Sequence, residues 1–359
     1  VRWKGWLALA ALLALKLGTG VLLIAGIIGP ARAQATAPED AQAVQPWTEA
    51  LVSVADLAAW ESFFTQEGGW RVMQRGRLDP RELRHWQLPA AASARFVRLC
   101  APQASTGCIR FVRFAQAGPQ RPIRLAARPW DTGGIFSLMV RSDDVQALFD
   151  SAVARGWWAE SEPYRFSFGG SDLVNVVLTG PHGINLAVYQ RRNPPFTAFP
   201  VGRLSQAFNS MRMVADQPRS LAFYRQVFGF ALQFDADYLD RQPGPSNFSI
   251  PHNLTPSIPR RAAVVYPMPG ETGRIEVMQF VGFTGKDVSA HAKPPNFGIL
   301  SVRYPVVGLD AWLARITARG ARIAYGPSLV TLPPHGAVRL VAITGPDGDL
   351  TEFYEPVGR

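Results

Sequence analysis

Lysine, histidine and cysteine are the scarce residues in this chain of 359. Lys4, Lys16, Lys286 and Lys293 are its only lysines, so the 37 basic residues are nearly all arginine, dispersed rather than in blocks. A basic stripe that would track a phosphate backbone is excluded, and no nucleic-acid partner is expected. The formal net charge is +10; removing Arg2, Lys4, Lys16 and Arg32 of the first 33 positions leaves +6. The five histidines, His85, His182, His252, His291 and His335, are scattered, which gives no paired-imidazole zinc motif. Nucleophile-elbow, Ser-x-x-Lys, phosphate-loop and dinucleotide patterns are missing in the strand-turn-helix setting they require.

Only two cysteines are present, Cys100 and Cys108, flanking Ala-Pro-Gln-Ala-Ser-Thr-Gly between strand-like runs at 94–99 and 109–114. A hairpin would set them side by side, and an oxidising compartment would close them into a disulfide; two free thiols are the alternative.

Such a compartment fits the N-terminus. Arg2 and Lys4 precede apolar runs at 6–15 and 17–28, and Ala31-Arg32-Ala33 offers a cleavage site. The reading is a signal peptide, residues 1–33, cleaved after Ala33 to give an exported, periplasmic protein. An uncleaved membrane anchor is the alternative, and Lys16 within it would cost roughly 2.5–3.5 kcal/mol at a bilayer centre. Residues 34–46, rich in Ala, Gln, Pro and acid, read as a disordered tether.

The rest of the chain says the same thing twice. A strand at 51–55 and the helix that starts at Asp56 and ends at Gly69 match a strand at 210–215 and the helix from Asp216 to Gly229. The spacing is 160 residues in both cases (216 − 56 and 229 − 69), with Phe63-Phe64 in place of Phe223-Tyr224. A strand-helix pair at 135–156 answers one at 297–320, and Gly180-Pro-His-Gly answers Gly345-Pro-Asp-Gly. Each half therefore holds two strand-helix-strands units: an N-terminal domain at 47–190, a Pro-rich linker at 191–204 and a C-terminal domain at 205–356. Long insertions at 79–89 and 242–259 are placed to cover a cleft.

The strand ending Val214-Ala-Asp216, the helix carrying Phe223-Tyr224 and closing at Gly229-Phe230, and the last strand from Gly345 to Glu355 together resemble the vicinal oxygen chelate superfamily. Its members include glyoxalase I, extradiol dioxygenases, and bleomycin- and fosfomycin-resistance proteins. The resemblance implies an α+β fold of two tandem domains, each two βαβββ modules forming a curved, mostly antiparallel open sheet. Such a fold hosts many chemistries.

The resemblance also implies four metal-ligand positions per domain. In the second half they fall on Asn209, Glu276, Phe297 and Glu352; in the first, on Glu49, Arg110, Ile135 and Ala187. A guanidinium cannot ligate a cation, so no metal is expected in the first half, where Glu49 and Arg110 should pair across the sheet. A divalent metal is left only to an all-oxygen set of Asn209, Glu276 and Glu352 in the second, with Phe297 walling off the fourth position. The favoured reading is that no cofactor is needed. His252, in the second insertion, is placed to lean over Glu276 and Glu352 as an acid or base. The sequence points first to an exported protein binding a small apolar or aromatic molecule in a metal-poor cleft lined by Phe297, Glu49 and Arg110. The alternative is a metal-assisted lyase, isomerase or dioxygenase working through Glu276 and Glu352. Ligand identity and oligomeric state leave no mark in the sequence.

Overall fold

The computed structural model describes residues 43–358; the leader and residues 34–42 of the tether lie outside them. Four modules follow one another. The first is β1 (Glu49–Ser53), α1 (Leu57–Ser62), β2 (Arg71–Arg77), an inserted α2 (Pro80–His85), β3 (Ser93–Cys100) and β4 (Cys108–Ala115). The second is β5 (Ser137–Arg141), α3 (Val145–Ala154), β6 (Trp158–Ala159), β7 (Tyr164–Phe168), β8 (Ser171–Gly180) and β9 (Ile184–Asn193). The third is β10 (Asn209–Met213), α4 (Gln217–Ala222), β11 (Ala231–Tyr238), β12 (Arg260–Tyr266) and β13 (Arg274–Phe280). The fourth is β14 (Gly298–Pro305), α5 (Leu309–Ala318), β15 (Arg322–Thr331), β16 (Ala337–Thr344) and β17 (Leu350–Pro356).

The repeat has a local cause. Asp56, Asp144 and Asp216 each cap a helix by accepting backbone N–H groups of its first turn. α1 and α4 both run on into a single π turn, Phe63–Glu67 and Phe223–Val227. Gly69 and Gly229 then leave at φ 71° and 76°, a conformation that a side chain would strain.

The modules form an α+β structure of two open sheets, but their partnering differs from a sheet per half. The eight-stranded sheet runs β15-β16-β17-β14-β1-β4-β3-β2, joining the first module to the fourth. The nine-stranded sheet runs β11-β12-β13-β10-β5-β9-β8-β6, with β7 on β8, joining the second to the third. At both seams the first strands meet antiparallel, β1 on β14 and β10 on β5. β1, β5 and β14 each give residues to the helix-side core (Ala50 and Val52, Leu138 and Val140, Val302 and Tyr304), while β10 gives Met211 and Met213 to the opposite cluster, and neither pattern says which two modules will meet.

Alternation sorts the faces. Ala50 and Val52 join a core cluster with Trp60, Phe63, Trp157, Tyr224, Trp312 and Phe353, which runs through the helices of all four modules. Burial of each such large apolar side chain contributes on the order of 1.5–3 kcal/mol. Leu51 faces the other way, into a cluster with Leu83, Trp86 and Phe96. Cys100 and Cys108 form a disulfide joining β3 to β4, Cα atoms 4.4 Å apart.

The end of the tether corrects its compositional reading. Val44 is buried and bridges to Val306, Gln45 N–H donates to Pro305 O at 3.0 Å, and Val307 N–H donates to Ala43 O at 2.9 Å. Residues 43–46 are thus packed against the end of β14.

Candidate functional site

Each helix cap fixes a position seven residues upstream on a first strand: Glu49 before Asp56, Ser137 before Asp144, Asn209 before Asp216 and Ser301 before Gly308. Ser137 and Ser301 thus hold the places that the sequence motifs assign to Ile135 and Phe297. Ile135 is in the helix-side core, and Phe297 stacks on the His182 ring at 4.5 Å. The error arises because β5 and β14 start later than their Gly-containing lead-ins suggest.

Strand pairing then distributes the eight positions. Leu51 lies beside Arg110 and Arg303 beside Glu352, so Glu49, Arg110, Ser301 and Glu352 belong to the eight-stranded sheet. Met211 lies beside Glu276 and Met139 beside Ala187, so Asn209, Glu276, Ser137 and Ala187 belong to the nine-stranded sheet. Glu276 and Glu352 therefore share no cleft. Any mechanism that uses them together is excluded by the pairing of modules across the halves.

The eight-stranded sheet fills its own hollow. Glu49 Oε1 accepts from Arg110 Nε at 2.8 Å and Oε2 from Arg98 Nε at 2.8 Å. Arg303, buried, donates to Glu352 Oε2 at 2.7 Å and Glu49 Oε1 at 3.2 Å, and also to Glu82 of α2. Glu352 accepts further from Trp86 Nε1 and Ser301 Oγ, both at 2.8 Å. The first insertion is the plug: α2 brings Glu82, His85 and Trp86 down onto the sheet, with Asp79 as its cap. Burial alone would push the carboxyls up. At Glu49 the three guanidiniums outweigh it and hold the carboxyl well below its usual range. At Glu352, Arg303 does most of the same work. At Glu82 burial wins and the carboxyl is raised. Burial pushes His85 down to about 4, leaving it neutral at physiological pH. Glu49 and Arg110, expected to line a substrate cleft, are both fully buried within this charge cluster.

The nine-stranded sheet keeps its hollow open, as a cavity of about 340 Å³. Met139, Met211, Phe208 and Met278 form its floor, and Phe168, Phe234, Tyr238 and Phe248 its walls. The second insertion supplies Phe248 and is pinned by Asn247, which donates to Asn175 Oδ1 at 2.6 Å and accepts from Val177 N–H at 3.2 Å. Glu276 opens into the cavity. Its Oε2 accepts from Asn209 Nδ2 at 3.1 Å. Burial pushes this carboxyl up to about 7, against the hydrogen bond from Asn209 and the charge of Arg274. Burial and the neighbouring Glu276 carboxylate raise Tyr189 and Tyr238, so both stay as phenols.

His252 lies elsewhere. It is exposed on a separate hollow with Trp130, Glu160 and Ser161, because the insertion turns its 3₁₀ segment (His252–Ser257) outward. Arg339 pairs with Asp310. A further hollow of about 300 Å³ beside Arg124 is lined by a guanidinium already spent on the carbonyls of Gly133, Arg128 and Asp131.

Neither set of four positions fits a divalent cation. In the eight-stranded sheet a guanidinium stands at one position, Glu49 is taken up by arginines, and Glu352 by Arg303, Trp86 and Ser301. In the nine-stranded sheet Ala187 offers no donor, and Asn209 spends its amide oxygen on Ser210 N–H at 2.8 Å and its NH₂ on Glu276 and on Met139 Sδ at 3.2 Å. The set Asn209, Glu276 and Glu352 is divided between sheets. Among the described residues no three His, Cys, Asp or Glu side chains converge to hold an ion.

Among the residues missed by the sequence reading are Arg303, Glu82, Met139 and Tyr189. Arg303 had a visible signal: a lone charge in Gly-Ile-Leu-Ser-Val-Arg-Tyr, an otherwise apolar strand. The others depend on which modules meet.

Four βαβββ modules in two open sheets define a glyoxalase-type architecture. Residues 208–353 match the model of the Glyoxalase/Bleomycin resistance protein/Dioxygenase superfamily, and the chain carries a domain of that superfamily. Among solved structures it is similar to a variant of glyoxalase I from Zea mays, with a TM-score of 0.57, 16% identity, and 88% of this chain and 94% of that one covered. Glyoxalase I from Zea mays aligns with a TM-score of 0.56 at 15% identity, covering 87% and 92%. A protein described as a candidate dioxygenase from Bacillus subtilis aligns with a TM-score of 0.50 at 11% identity, covering 88% and 86%. At such identities the likeness concerns the fold. No curated protein sequence matches the chain.

Proposed function

We propose that this protein binds a small, largely aromatic or apolar molecule in the cavity of the nine-stranded sheet. The observation that carries this reading is the contrast between two hollows of one fold. One is packed shut by its own charges, and the other is left open and lined by aromatic rings and methionines. Rings and thioethers offer a large, adaptable contact area with little polar desolvation, and about 340 Å³ lies within the range of small-molecule sites. We place the protein in an exported, oxidising setting. The Cys100–Cys108 disulfide supports this, while the leader itself lies outside the described residues.

Calorimetric titration with naphthalenemethanol, a neutral aromatic probe, tests the reading. Binding is expected to the wild type and to be lost in Met278→Trp, which fills the cavity, with thermal unfolding showing that the variant still folds. Equal binding to both proteins would contradict it.

Glu276 favours a second reading. A carboxyl held near neutrality in a desolvated hollow is suited to taking and returning a proton, as an isomerase or lyase requires. Under this reading Glu276→Gln abolishes turnover while ligand affinity stays within a few-fold.

A further inference from the structure

One end of the open cavity carries cationic charge that the protein does not neutralise. Arg141, at the end of β5, is 6% exposed, and its Nε has no hydrogen-bond partner. Its nearest carboxylate, Glu271, stands at 3.6 Å and is engaged more closely by Arg274 at 2.8 Å. Arg191, on β9, has no carboxylate within salt-bridge distance among the described residues, and its Nε is likewise buried and unpartnered. Both guanidiniums lie over the Phe196 ring, at 4.0 and 5.6 Å from its centroid, so they are gathered at one place. Arg260, on β12, differs in having a close carboxylate, Asp240 at 2.7 Å, although its Nε too is buried without a partner. The cavity lining thus has four arginines against Asp240, Glu271 and Glu276.

Resting on the reading of this cavity as a ligand site, we infer that the ligand carries an anionic group of the carboxylate class, which docks on Arg141 and Arg191 while its apolar body lies over Phe208 and Met139. A buried donor left unpaired is costly, and a planar carboxylate matches the guanidinium fork better than any neutral group. The electrostatics agree: burial, opposed by Glu271 and reinforced by Arg191 and Arg274, pushes Arg141 down to about 10, the mark of a cation short of counter-charge. The competing account is that the two arginines only clamp Phe196, and with it the linker, to the sheet through cation–π contacts.

The two accounts separate with a matched pair of probes, naphthoate and naphthalenemethanol, titrated into the full-length protein. The expected result is naphthoate binding at least about tenfold tighter than the alcohol, with that ratio falling toward one in Arg191→Gln and shrinking as salt rises. Arg191 is partly exposed, so its replacement leaves the core packing intact. Arg141→Gln should lower the ratio in the same way, and should that variant fail to fold, the salt dependence of the wild-type ratio still decides. Equal affinity for both probes, or a ratio indifferent to salt and to Arg191→Gln, overturns the anionic subsite while leaving the cavity reading standing. Failure of both probes to bind overturns the cavity reading and the subsite with it.

Discussion

Among the described residues Glu276 has a single hydrogen-bond donor, Asn209, in a hollow of aromatic rings, and this sets its acid–base behaviour. An ordinary glutamate releases its proton near 4.5, whereas this one holds it to about 7. Between those values the unfolded chain has lost a proton that the folded chain keeps, so stability falls as pH rises through the window. Glu276→Gln removes that titration. Urea unfolding should show the variant gaining on the wild type from about pH 5 to about pH 8, and a difference that does not change with pH would contradict this. Arg303 is the opposite case, a buried cation serving Glu49, Glu82 and Glu352 together. Arg303→Met leaves those carboxylates short of a counter-charge and should cost about 3–5 kcal/mol of unfolding free energy. A loss below about 1 kcal/mol would mean that the cluster reorganises freely. The motifs alone marked Glu276 and Glu352 as candidate ligands for a metal. They could not show what each carboxyl meets instead, because the partner of Glu352 comes from the same module and the plug above it from the first.

At the scale of elements, the two insertions decide which hollow is open. The first folds as α2, whose cap Asp79 accepts from Arg81 N–H at 2.8 Å and from Thr331 N–H at 2.7 Å, tying the plug to β15. Asp79→Ala should cost about 1–2 kcal/mol and speed amide exchange in α2 and at Thr331. Unchanged exchange there would show that Trp86 and Glu82 hold the plug unaided. The second insertion has no such helix; its residues between β11 and β12 form a wall pinned by Asn247, and this leaves Phe248 as lining rather than filling. Both insertions were visible in the sequence as proline-rich interruptions. That one would fill and the other frame was not, since the difference lies in Glu82 and Trp86 finding Arg303 and Glu352 across the seam. His252 was drawn toward the cleft by its place in the insertion alone, and the 3₁₀ turn carries it outward.

For the whole molecule, the pairing of first with fourth and second with third modules makes the two halves interdependent. The repeat, the helix caps and the α+β class were legible because they are written in local spacing. The cross-pairing was not, because it depends on contacts between residues distant in the chain, 70 positions apart at one seam (Asn209 with Met139) and 254 at the other (Glu49 with Arg303). Halves divided at the exposed Pro194–Pro195 stretch and expressed separately should lack cooperative unfolding, and co-expressed they should purify as a one-to-one pair. Two monomeric halves that each unfold cooperatively would contradict the topology. The account as a whole turns on one hollow being available and the other sealed. A crystal structure of the protein grown with naphthoate tests that directly: the account predicts density for the ring system between Phe208, Tyr238 and Phe248, above Glu276. Density above Glu352 with α2 displaced, or an ordered ligand anywhere but the cavity of the nine-stranded sheet, would contradict it.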